Sequence, residues 1–69
     1  MIRRKVIGYD EVLERMKAGE VITFYKFSYV HYMGNDATLR YDTFIKFWNS
    51  KTIKRGAKDI NSNQTYILA

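Results

Sequence analysis

Residues 21–33 read Val-Ile-Thr-Phe-Tyr-Lys-Phe-Ser-Tyr-Val-His-Tyr-Met, a run so rich in β-branched and aromatic side chains that it is expected to be strand. Its full length extended would span roughly 43 Å at 3.3 Å per residue, too far for one strand of a small domain. A break near Lys26-Phe27-Ser28 is therefore expected. One long bent or bulged strand is the alternative, since neither Gly nor Asn marks a hairpin there. Just beyond, Gly34-Asn35-Asp36 is a clear turn signal: Gly and Asn tolerate positive φ, and Asp bonds its own backbone.

Helical patterns flank this run. Upstream, Tyr9, Val12, Leu13 and Met16 fall at i, i+3, i+4, i+7, which lines four apolar side chains along one helix face. Asp10 is expected as the N-cap, Glu11 and Arg15 as an i, i+4 ion pair, and Gly19 as the left-handed residue that stops the helix. Downstream, Asp42 is expected to cap a second helix in which Phe44, Phe47 and Trp48 recur, with Ile45 widening the stripe. Residues 52–55 and 64–68 read as two strands joined by the polar stretch 59–63. The expected fold class is α+β: one small domain over residues 1–69, two short helices packed on an antiparallel sheet, and a C-terminal β-hairpin.

Composition narrows the function. The chain has 69 residues, 46% hydrophobic and 16% aromatic, which a solvated tail would not carry. Its 12 Lys and Arg against 7 Asp and Glu leave a net charge of +5. No repeat or low-complexity tract stands out. With no Cys and a single His, a disulfide scaffold and a zinc finger are excluded, and no metal or cofactor is expected. No phosphate-binding loop, nucleophile elbow or dinucleotide fingerprint occurs. Glu11 and Glu14 fall on the solvent side of the first helix and Glu20 at its exit, so a non-catalytic protein is expected. The opening Met1-Ile2-Arg3-Arg4-Lys5 leads only into Val6-Ile7, too short for a signal-peptide core, and no apolar run approaches a membrane span. The expected address is the cytoplasm.

Two features point to partners. Between Lys46 and Lys58 lie five cations, Lys46, Lys51, Lys54, Arg55 and Lys58, with no acid until Asp59, and Arg3-Arg4-Lys5 forms a smaller cluster. Set side by side, the five would form a phosphate-neutralising stripe, with Asn49, Ser50 and Thr52 as neutral hydrogen-bonding partners. The plainer alternative is that these cations keep an aromatic-rich protein soluble. In the 21–33 run, Tyr25, Phe27, Tyr29 and His31 share one parity and Phe24, Val30 and Tyr32 the other, so a regular strand carries rings on both faces. One face then covers the helices and the other is free to meet a partner; the alternative has the Tyr residues at the core rim with hydroxyls in water.

The succession Val12-Leu13-Glu14-Arg15-Met16-Lys17-Ala18-Gly19-Glu20, a β stretch, Thr43-Phe44-Ile45-Lys46-Phe47-Trp48, Ile53-Lys54-Arg55 and a closing Tyr66-Ile67-Leu68-Ala69 resembles small winged-helix-like proteins carried by phages and prophages. The resemblance implies that Lys46, Asn49, Ser50 and Lys51 are exposed positions of a recognition helix. It implies equally that Lys54, Arg55 and Lys58 are wing positions on backbone phosphate, with DNA or RNA as partner in the host cytoplasm. Small phage proteins also act by capturing a host protein. The alternative is therefore an interaction module, a homodimer or an inhibitor of a host protein, that uses Phe24, Tyr25, Phe27, Tyr29 and Tyr32.

Overall fold

The computed structural model describes residues 4–69. Along the chain run β1 (Lys5–Ile7), α1 (Tyr9–Lys17), β2 (Ile22–Tyr25), β3 (Val30–Met33), β4 (Ala37–Leu39), α2 (Tyr41–Asn49), β5 (Ile53–Lys58) and β6 (Gln64–Leu68). The 21–33 run breaks where expected, and the turn is closed by backbone: the N–H groups of Ser28 and Tyr29 donate to the Tyr25 carbonyl at 3.2 and 2.8 Å, with Tyr29 left-handed at φ 55°. The turn resets the parity of the strand. Phe24 now lies opposite His31 on the helix side, while Tyr25, Val30 and Tyr32 share the other face, so the grouping of Tyr25 with His31 fails.

The six strands form one sheet in the order β1-β4-β3-β2-β6-β5. Its neighbours are antiparallel except β1 and β4, which run parallel, so the sheet is mixed where an all-antiparallel one was expected. Ile7, Ile22, Met33, Ala37, Leu39 and Ile53 from the strands meet Val12, Met16, Phe44 and Phe47 from the helices in one buried cluster. Helices therefore cover one face only. Across the opposite face run Val6, Thr38, Tyr32, Thr23 and Thr65, none of them buried. The element before α2 is β4, and so the helix-turn-helix pairing of a winged helix is not formed among the described residues.

A repeat that the residues conceal organises the chain. Two βαββ units follow one another, β1-α1-β2-β3 and β4-α2-β5-β6. Parallel pairing joins each residue of β1 to the one 32 places later: Lys5 to Ala37, Val6 to Thr38, Ile7 to Leu39. The two helices each have 9 residues and open on the same Tyr-Asp pair, Tyr9-Asp10 and Tyr41-Asp42. Their exits match bond for bond. Gly19 donates to the Met16 carbonyl as Lys51 does to Trp48, and Glu20 to Arg15 as Thr52 does to Phe47, at 3.0 to 3.2 Å. That is the reverse-turn cap that satisfies the last helical carbonyls.

The caps at the other end correct the sequence reading. Asp10 and Asp42 sit inside the first turn, where a negative charge suits the helix dipole, and the capping positions are Gly8 and Arg40 with no side-chain bond. Pairing in β5 slips between Arg55 and Lys58. There a Cβ on Gly56 would meet Thr65 Oγ1 at 2.8 Å, so the strand needs glycine for its bulge. The carbonyls that the bulge frees are taken up by side chains, Gln64 Nε2 donating to Gly56 O at 2.8 Å and the Thr65 hydroxyl to Ala57 O.

Candidate nucleic-acid interface

Charge is sorted across the molecule. Arg15 donates to both carboxylate oxygens of Asp36 at 2.8 Å and also meets Glu11 at 3.2 Å and Glu20 at 3.5 Å. The Arg15 guanidinium holds the Asp36 carboxyl down at about 2, and Lys5 and Lys17 pair with Glu11 and Glu14. Four acids thus pair with three cations around α1 and the β3–β4 turn. Asp59 is occupied differently: its carboxylate accepts from the N–H groups of Asn61 and Asn63 at 2.9 and 2.8 Å, which folds the β5–β6 loop and lowers its pKa. Among the described residues no ion pair engages Lys46, Lys51, Lys54, Arg55 or Lys58. The cations of the α2–β5 side thus stand without ion pairs among the described residues.

At that corner the chain forms an open groove of about 530 Å³ lined by Trp48, Lys51, Ile53, Lys54 and Arg55. Helix α2 brings Trp48 to its last turn, the cap turns the chain at Lys51, and β5 starts at once, so helix end and strand start form the two walls. The Trp48 ring is held from behind. It packs edge-on to Tyr66 with centroids 5.8 Å apart, and lies nearly parallel to Phe44 at 6.3 Å. Phe44 in turn stacks on His31 at 4.1 Å, and His31 meets Phe24 at 4.8 Å. Burial among these rings pushes the His31 pKa below its usual value. Arg55 stands 5.8 Å from the Trp48 centroid, within cation–π range, while 39% of Trp48 stays exposed.

Of the seven residues expected to contact nucleic acid, three line this groove: Lys51 and Arg55 on the side of α2, and Lys54, opposite Ile67, on the strand edge with its side chain toward the other face of the sheet. Lys46 and Asn49 are exposed on α2 outside the groove lining. Ser50 is committed to the fold, its hydroxyl bonding the Phe47 carbonyl at 3.1 Å and sharing a 2.7 Å bond with Thr52 Oγ1. Lys58 lies beyond the bulge, opposite Gln64. Arg3 falls outside the described residues, and Arg4 packs over the Tyr32 ring at 4.4 Å. Trp48 was missed because its place in the apolar stripe reads as core. Its position at the last turn, just before a run of cations, was the available signal.

The expected aromatic interface divides. Phe24 belongs to the helix side of the sheet, and Tyr25 and Tyr32 contact each other on the opposite face at 4.6 Å. Phe27 and Tyr29 stand on the β2–β3 turn, 90% and 80% exposed. Phe24 pairs with Gln64, so the β5–β6 loop, with Ile60 98% exposed, is at the same end of the sheet. No helix among the described residues is long and apolar enough to cross a membrane, and no group of three or more potential metal ligands occurs among them. Compared with protein families, curated proteins and solved structures, the chain matches none.

Proposed function

We propose that the protein is a small basic accessory protein of phage or mobile-element type that binds nucleic acid without catalysis, through the end of α2 and the start of β5. The observation that carries this reading is the groove lined by Trp48, Lys51, Lys54 and Arg55, whose three cations have no ion-pair partner among the described residues. Cations that meet phosphate release condensed counterions, and that release supplies sequence-independent affinity. The contact surface is a corner between helix and strand, in place of the inserted recognition helix of a winged-helix protein.

Fluorescence anisotropy of labelled oligonucleotides, single-stranded and duplex, at about 50 mM salt tests the reading. The expected result is binding that the double variant Lys54→Glu, Arg55→Glu abolishes. No binding of either form, or equal binding by the variant, overturns it.

A specific observation supports a second reading, that of a protein-interaction module. Phe27, Tyr29 and Ile60 expose 90%, 80% and 98% of their surface at one end of the sheet, and exposed apolar clusters mark contact sites. In this reading the contact is made by the hairpin tips, and the Tyr25–Tyr32 face is secondary. Light scattering across concentration tests self-association, and Phe27→Ser with Ile60→Ser should reduce any that is found.

A further inference from the structure

We propose that the groove takes an unpaired nucleobase stacked on Trp48, with the phosphates of a single strand on Lys51, Lys54 and Arg55. This rests on the nucleic-acid reading above and narrows it to single-stranded substrates.

Three observations support it. First, the groove couples a flat aromatic surface to a cationic rim. Single-strand sites use that combination, because every base has a face to stack while the backbone follows the charge. A duplex keeps its bases stacked inward and offers phosphates alone at such a corner, so the Trp48 ring would go unused. Second, the ring is fixed before any ligand arrives. Phe44 and Tyr66 pack against Trp48, and the planar Arg55 guanidinium, 5.8 Å from the ring centroid, can itself stack on a base. Third, Lys51 is left-handed at φ 59°, a conformation that L side chains rarely adopt, and at the matching exit of the first unit stands Gly19 at φ 100°. The turn geometry alone calls for glycine. A lysine there contributes a cation to the groove lining.

An acidic polypeptide matches the rim charge but has no flat ring system to stack on Trp48, so nucleic acid is the better fit.

The experiment uses the chain's single Trp. Its emission, excited selectively at the red edge, is followed during titration with oligo(dT) of about 12 nucleotides, with a duplex of equal length, and with poly-L-glutamate. Oligo(dT) is expected to quench it strongly and the other two weakly. Trp48→Phe should keep most of the affinity, and Trp48→Leu should lose about 5- to 150-fold by anisotropy. Should Trp48→Leu not fold, Lys51→Gly replaces it and should bind several-fold more weakly with an unchanged circular dichroism spectrum. Equal quenching by duplex or by poly-L-glutamate overturns base stacking. So does binding seen by anisotropy that leaves Trp48 emission unmoved, and that result leaves the broader nucleic-acid reading standing. No response to any nucleic acid in either measurement removes both.

Discussion

Gly19 and Lys51 occupy the same position in the two βαββ units, the first residue after each helix cap, and both are left-handed, at φ 100° and 59°. Glycine takes this conformation freely, whereas a residue with a Cβ gives up about 1 kcal/mol. Lys51→Gly is therefore expected to leave stability unchanged or raise it by up to about 1 kcal/mol, while it weakens nucleic-acid binding. Gly19→Ala, at a turn with no role in the groove, should lower stability by about 1 kcal/mol and leave binding intact. Urea unfolding alongside anisotropy checks both. A Lys51→Gly protein that unfolds more easily would show that the lysine serves the fold.

Strong acid should loosen the α1 side of the molecule. Asp36 is held at about 2 by Arg15, below the ordinary 3.8 that it regains on unfolding. Its depressed pKa contributes stability that is fully present above pH 3.8 and is lost as pH falls through about 2. The urea midpoint of the wild type should therefore drop across that window, and that of Asp36→Asn should drop less. Identical slopes for the two proteins would remove Arg15–Asp36 from the account.

His31 sets a second, higher window. Buried among Phe24 and Phe44, it resists protonation in the fold and regains its ordinary 6.5 when the chain unfolds. A base whose folded pKa is lowered costs stability as pH falls below 6.5, because the unfolded chain takes up the proton first. His31→Phe should therefore flatten the midpoint between neutral pH and pH 5. It should also leave the stack on Phe44 in place.

Much of this fold could be read from the residues. Val21 to Met33 declared its strands through β-branched and aromatic side chains, and both apolar stripes placed their helices to within two residues. β1 escaped notice because three residues carry little pattern, and its partner β4 lies 32 positions away in a parallel pairing that no local signal announces. The repeat was hidden because few equivalent positions kept their residue. Tyr9-Asp10 recurs as Tyr41-Asp42, yet Arg15 is matched by Phe47, Met16 by Trp48 and Gly19 by Lys51. Those exchanges turn a charge-paired helix exit into an aromatic, cationic one. The candidate site was legible as a run of cations, but which of them converge depends on the tight α2–β5 turn and on the bulge at Gly56 that carries Lys58 away.

Phe47 is the residue the core can least spare. It is fully buried and stacks on Tyr9 at 4.2 Å with the rings 4° from parallel, which locks α2 to α1. Phe47→Ala should cost about 3–5 kcal/mol, comparable with the whole stability of so small a domain. Circular dichroism at room temperature should show a largely unfolded chain. A cooperative thermal transition near that of the wild type would contradict the packing described.

The most direct measurement of the central claim is the salt dependence of oligonucleotide affinity. Three groove cations on phosphate predict a slope of log K against log salt of about −2.1 on single strands and about −2.7 on duplex, where all five of the 46–58 run would give about −3.5 and about −4.5. The shallower slope is expected, falling toward zero in Lys54→Glu, Arg55→Glu. A slope near zero in the wild type, or one that the double variant leaves unchanged, would contradict it.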